Sequence, residues 1–245
     1  MEWVCRRSGD GLMFFLSGTP RSGSTVLRAI LAQNPDIYAG PNSPLCPLMW
    51  DTFMACEMNQ QLSTSDRMDF THELVSAIPN LYYKDVDRPI ILDKSRGWTQ
   101  PFNMSLILQY ITDKPKIIVL TRPTEEIIDS LHRLWRKNGL AEGDPDFTSR
   151  EDLLRPGSDP VMSAVEGVEL ARMSSSGQYL FVEYEDFIEH PFAVLDRIYE
   201  FCEWPSFDGH HITNIVDKYP ETDFADRNRG AHEVRSILSY GEVLV

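Results

Sequence analysis

The sequence predicts an α/β protein with a P-loop-like, mostly parallel central sheet flanked by helices on both faces. Three observations predict it. Short apolar runs alternate with segments of helical periodicity. The first run leads into a glycine-rich turn, Gly18 to Gly23, that opens onto a helical segment. Four of the runs end in polar clusters, and in a parallel sheet such strand exits lie side by side.

The elements follow in order. Leu12–Ser17 (LMFFLS) is a buried strand by pattern. Thr25–Asn34 places Val26, Leu27, Ile30 and Leu31 on one helical face and is stopped by Pro35. Asp66–Ile78 has helical spacing. Pro89–Leu92 reads as a strand leading into Asp93, Lys94 and Ser95. Pro101–Ile111 is a helix with proline near its start. Pro115–Leu120 is the clearest buried strand, followed by the amphipathic helix Thr124–Arg136. Val161–Met173 is helical, Tyr179–Val182 is a strand, and Phe192–Cys202 is a final helix. The polar clusters at the strand exits are Ser17–Thr25, Asp93–Trp98, Thr121–Arg122 and Glu183–Asp186.

The 245 residues make one domain, 1–245, with no repeat and no linker; Asn138–Asp159 reads as a surface excursion. Met1–Asp10 lacks the apolar core of a secretory signal, and the longest apolar runs are too short to span a bilayer. A soluble, cytoplasmic protein is expected. Cys5, Cys46, Cys56 and Cys202 have no metal or redox spacing and read as free thiols. The net charge of −14 argues against nucleic-acid or anionic-membrane partners. The charge is uneven: Gly177 to Asp226 holds twelve acids and two bases. The cations Arg21, Lys94, Arg96, Arg122, Arg227 and Arg229 recur instead beside glycines, serines and strand ends. His210–His211 reads as a solvated turn without zinc-site spacing.

The segment FFLSGTPRSGSTVLRAILAQNP carries the chemistry. Its two glycines have P-loop spacing, yet Ser24 and Thr25 follow Gly23 with no lysine. Backbone N–H groups of Gly23, Ser24 and Thr25 at a helix start make an anion site, with hydroxyls from Ser22, Ser24 and Thr25. Arg21 supplies a permanent planar cation that can grip two anionic oxygens.

This loop resembles the 5′-phosphosulfate loop of sulfotransferases that use 3′-phosphoadenosine 5′-phosphosulfate (PAPS), most closely the PRSGTT form of tyrosylprotein sulfotransferases and their bacterial relatives. Two further blocks are similar to that family in the same order. KIIVLTRPTEEIIDSLHR sets Arg122 at a strand end and Ser130 eight residues on, the family's 3′-phosphate spacing. YLFVEYEDFIEHPFAVLDRIYEFCEWP is similar to a late family segment and implies that Tyr184 lies against the nucleotide, with Glu185 and Asp186 as helix caps.

The resemblance implies transfer of a sulfuryl group from PAPS to a hydroxyl or amine, with release of 3′-phosphoadenosine 5′-phosphate (PAP) and no metal. The acceptor, a small molecule, carbohydrate or peptide, is not legible. Arg21 and Lys94 are the expected catalytic cations, the second as donor to the leaving oxygen; an ion pair of Lys94 with Asp93 is the plainer alternative. Neither familiar family base carries over, because AGPNSPL and Arg96 stand where a glutamate or histidine is expected. His232 is the substitute base, with Glu233 and Asp93 behind it. Arg227 and Arg229 are expected to close over the 3′-phosphate. Phe53–Leu62 and Asn138–Pro160, as irregular or poorly matching stretches, are the expected rims of the acceptor pocket; Trp50, Phe53, Trp98 and Trp135 are its candidate lining, although core packing is the commoner fate of such residues. Two alternatives stand. PIILD could be the acid-ended strand of a P-loop kinase, or the chain could bind nucleotide without catalysis.

Overall fold

The computed structural model describes residues 12–65, 67–174, 177–223, 225–234 and 236–238. Cys5, the Met1–Asp10 stretch and the expected helix start at Asp66 lie outside them.

Five strands form one parallel sheet. In chain order they are β1 (Leu12–Gly18), β2 (Ile37–Asn42), β3 (Ile90–Lys94), β4 (Ile117–Thr121) and β5 (Tyr179–Glu183), arranged β2-β3-β1-β4-β5. β1 lies between β3 and β4, with Phe14 opposite Leu92 and Ser17 opposite Val119. Every strand pair is parallel, so all five carboxyl ends leave the same edge.

Alternating side chains feed two cores. Phe14, Leu16 and Leu92 face α1 (Ser24–Leu31), α9 (Tyr184–Glu189) and α10 (Pro191–Cys202). Phe15, Ile91 and Val119 face α2 (Leu45–Glu57), α4 (Met68–Tyr82), α5 (Pro101–Tyr110) and α8 (Met162–Met173). Helices therefore cover both faces, as the alternation predicts. α6 (Thr124–Lys137) builds a third cluster in which Ile127, Ile128 and Trp135 pack on Phe147, Leu153 and Val161. The excursion after α6 is thus anchored by its own apolar contacts, and it includes the short α7 (Arg150–Leu153).

The structure corrects several local expectations. β2 was hidden behind Gly40 and Pro41; it is an edge strand, where a missing N–H is tolerated. Phe53–Leu62 is not irregular, because it spans the end of α2 and the start of α3 (Gln60–Thr64). Trp98 and Trp135 are core residues, fully enclosed by their clusters. His210 does not sit in a solvated turn: it is buried, bonds the Tyr199 hydroxyl at 2.8 Å and stacks edge-on against Phe207. α4 runs through Pro79 to Tyr82.

After α10 the described residues hold little regular structure. It doubles back at a bridge between Thr213 and Ile237 and packs Ile215, Tyr219, Val234 and Leu238 onto the α1 side of the sheet. This tail crosses the strand exits. Among the described residues no helix is long and apolar enough to cross a membrane.

Candidate functional site at the strand exits

β1 ends where the loop begins. Gly18, at φ 140°, lies so close to β4 that a Cβ would come within 2.0 Å of the Leu120 carbonyl oxygen. Gly23 has φ 88°, left-handed geometry that favours glycine, and a Cβ there would meet the Tyr184 ring at 3.3 Å. α1 begins at Ser24 with no side-chain cap. Its first N–H groups, together with the helix dipole, form an anion-attracting mouth. Ser22 turns inward and donates to the Thr19 carbonyl at 2.7 Å, bracing the loop.

All four polar clusters converge here. Ser17 Oγ donates to the Arg96 carbonyl at 3.0 Å. The Arg122 backbone N–H donates to Thr19 Oγ1 at 3.1 Å. Tyr184 covers Gly23 and stacks under Arg122, whose guanidinium lies 4.2 Å from the ring centroid.

On the β4 side Arg122 donates to the Arg21 carbonyl at 3.0 Å and pairs with Glu126 at 3.0 Å. Arg21 takes φ 58° and sends its side chain to Ser130 Oγ at 3.2 Å and to the Ala231 carbonyl at 2.6 Å. The structure therefore groups Arg21, expected as a catalytic cation beside Lys94, with Arg122, Ser130 and Tyr184 instead.

On the β3 side Lys94 is the last strand residue and 5% exposed. Its ammonium donates to Thr25 Oγ1 at 3.1 Å and lies 3.5 Å from Glu221 Oε2. Burial pushes its pKa down to about 8, with Arg28 and Arg96 adding to the fall and Glu221 opposing it. The lysine does not pair with Asp93. Neighbouring strand residues point to opposite faces, and Asp93 is buried on the other side, accepting from Tyr83 Oη at 2.5 Å and Trp98 Nε1 at 2.6 Å. Its burial raises its pKa against those bonds. Asp93 thus faces neither the loop nor the solvent-facing mouth.

His232 lies close by. Its Nδ1 is 2.6 Å from Asp223 Oδ1, and Nε2 is 3.3 Å from Asn42 Nδ2 and 3.6 Å from Glu221 Oε1. With a carboxylate at Nδ1 and an amide donor at Nε2, the proton belongs on Nδ1 and the lone pair, which accepts from Asn42, on Nε2. Arg227 and Arg229 are used elsewhere. Arg227 donates to the Asp146 carbonyl at 3.0 Å and lies over the Trp135 ring, while Arg229 pairs with Asp226.

Glu221 was not singled out from the sequence. It accepts from Asn42 Nδ2 at 2.5 Å as well as contacting Lys94 and His232. Burial pushes its pKa up, but Lys94, His232 and Asn42 outweigh that and hold it below the ordinary value. The available signal was the acid-rich stretch itself. A run of twelve acids against two bases has few cations of its own to pair with where the fold buries it. It finds partners at Lys94 and at the buried Arg28, which Asp217 grips with two 2.7 Å bonds.

A family model for the sulfotransferases matches residues 14–209, and the chain belongs to that family. No curated protein sequence matches it. Its fold is similar to the sulfotransferase domain of the Synechococcus PCC 7002 olefin synthase, at 22% identity over 85% of this chain and 79% of that one, with a TM-score of 0.54. A sulfotransferase from Alicyclobacillus acidocaldarius is similar at 16% identity over 88% and 87% of the two chains, TM-score 0.55. A mouse sulfotransferase solved in complex with PAP is similar at 18% identity over 82% and 62%, TM-score 0.50. Family and fold together support an enzyme of sulfuryl transfer. The family match stops before Glu221 and His232.

Proposed function

We propose that the chain moves a sulfuryl group from PAPS to a hydroxyl or amine acceptor, in line and without a metal, releasing PAP. The observation that carries this reading is the Lys94 ammonium held 3.1 Å from Thr25 Oγ1 at the uncapped start of α1. A buried cation at a helix N-terminus is the pairing that a transferable anionic group requires.

The residues suit the donor. The α1 mouth would take its 5′-phosphate end, and Gly23 leaves room that any side chain would fill. Arg122, Arg21 and Ser130 would hold the 3′-phosphate, with Tyr184 against the nucleotide. PAPS supplies an activated sulfuryl group on a phosphate leaving group. Lys94 donates to the leaving oxygen as charge collects there. His232 Nε2 takes the acceptor's proton, and Asp223 fixes the ring for that task. These cations stand in for the metal of a nucleotide-hydrolysing site. A small molecule, carbohydrate or peptide would serve as acceptor. The buried free thiols of Cys46, Cys56 and Cys202 support a cytoplasmic setting.

The kinase alternative loses its best support, since Asp93 faces away from the loop. The alternative of a non-catalytic binding protein is weakened by the Asp223–His232 pair. Calorimetry with PAP, ADP and ATP, with and without magnesium, tests the reading. Metal-independent binding that requires the 3′-phosphate is expected. A preference for magnesium-ATP, or binding of none of the three, would overturn it.

A further inference from the structure

Glu221 occupies a place that neither the nucleotide site nor the base requires by itself. One carboxylate oxygen, Oε2, faces Lys94 Nζ at 3.5 Å, and the other, Oε1, faces His232 Nε2 at 3.6 Å. Asn42 pins the carboxylate between them through its backbone N–H at 3.3 Å and its side-chain amide at 2.5 Å. The donor-side cation and the acceptor-side base are therefore joined through one side chain. That side chain comes from the tail beyond residue 209, outside the family match.

We propose that Glu221 ties His232 to Lys94, holding both side chains in place and returning the acceptor's proton from the histidine to the lysine between turnovers. The inference rests on the sulfotransferase reading above. In one turnover the acceptor O–H breaks, its proton goes to His232 Nε2, and its oxygen bonds to sulfur. The bond from sulfur to the phosphate oxygen breaks, and Lys94 gives that oxygen a proton. The histidine is then one proton too rich and the lysine one too poor. Glu221 Oε1 accepts the proton from Nε2; the neutral carboxyl group then leaves its Asn42 contacts, rotates and presents the proton to Nζ. The product carries away one proton and the acceptor supplies one, so nothing else is consumed. Roughly half an ångström of side-chain movement brings either gap into hydrogen-bond range.

Among the described residues, a few other charged groups face this chain. Lys94 also feels Arg28 and Arg96, which oppose its charge, and Asp217, whose carboxylate lies close enough to be affected by the lysine. His232 also faces Asp223. Glu221 is the group that contacts both Lys94 and His232. It is a positioning residue that acts through Lys94 and His232.

The test is a titration followed by NMR, with carbon-labelled lysine and nitrogen-labelled histidine. Signals are assigned with Lys94→Arg and His232→Asn. The Lys94 signal of the unmodified protein should move in two steps, one coinciding with the His232 titration. In Glu221→Gln the coincident step should disappear and the lysine midpoint should fall by about 1–3 units, the usual effect of losing an adjacent opposite charge. Identical lysine and histidine curves in folded Glu221→Gln would overturn the proposal. Should that variant fail to fold, His232→Asn probes the same link, and a second lysine step that survives there would overturn it. Calorimetry with PAP on the same samples separates the two claims. PAP binding with independent titrations overturns the bridge and keeps the sulfotransferase reading. Coupled titrations without PAP binding overturn the sulfotransferase reading, and with it the proton return, and keep only the link between the two side chains.

Discussion

The exits of β3 and β4 flank the same loop, yet they carry different kinds of charge. At β4 the cations are arginines: Arg122 stacked on Tyr184, and Arg21 on Ser130. Their charge is permanent and their planar heads suit a fixed anion. At β3 the cation is a lysine buried to 5% exposure, with its pKa near 8 and a carboxylate beside it. Such a group can give and regain a proton near neutral pH. The difference teaches a division of labour across β1. On the proposed function, one side would hold the nucleotide and the other would exchange protons at the reacting bond.

The largest expected effect comes from the clasp that brings the tail to the β3 side. Asp217→Asn leaves the Arg28 guanidinium buried without its carboxylate and should destabilise the fold by about 3–5 kcal/mol, read as a fall in denaturation midpoint. A change under 1 kcal/mol, by the same scale, would mean that the clasp does not hold the tail.

Lys94→Met should lower turnover by about 10² or more, as lost transition-state donors do, while PAP affinity changes little. PAP release from PAPS, with a panel of acceptors, reads the first quantity, and calorimetry reads the second. Arg122→Ala should show the opposite split, losing about 1.5–3 kcal/mol of PAP affinity. Arg21→Ala sits between them, because its side chain touches Ser130 while its backbone belongs to the loop. Equal effects of Lys94→Met and Arg122→Ala on both quantities would erase the contrast between the two exits.

The pH dependence sharpens it further. The Lys94 cation is present below about 8 and lost above, so turnover should fall as pH rises through that value. The effect on stability has the opposite sign. Unfolded chains keep the lysine charged to its ordinary 10.5, whereas the folded chain releases the proton near 8. The unfolded state thus binds more protons across that window, and this group's contribution to stability rises with pH. Arginine at β4 predicts no such inflection in PAP affinity. Smallest of all, Gly23→Ala should cost about 1 kcal/mol through its left-handed backbone, with further strain from the Tyr184 contact.

Much of the fold was legible because it rests on local patterns. The runs LMFFL, PIIL, KIIVL and YLFV each became a strand of the sheet, matching its ends to within two residues. β2 escaped because glycine and proline dominate its end, and only its edge position makes that sequence acceptable. The candidate site divides the same way. Arg21, Ser22 to Thr25, Arg122 and Ser130 lie within two continuous blocks whose spacing follows from strand, turn and helix. Glu221 could not be found so, because its partners Lys94, Asn42 and His232 are scattered along the chain and meet only where the tail folds over β3.

The sequence by itself determined the parallel sheet, the glycine-rich loop at a helix start and the cations at the two strand exits. It did so because alternation, glycine spacing and helix starts are short-range physics. Tertiary structure alone decided which carboxylate faces which cation. Asp93 and Lys94 are neighbours in sequence, but the pleat sends one to a tyrosine and a tryptophan and the other to the loop. Glu221 is 127 residues from Lys94, and the packing of an irregular tail onto the α1 face makes them partners.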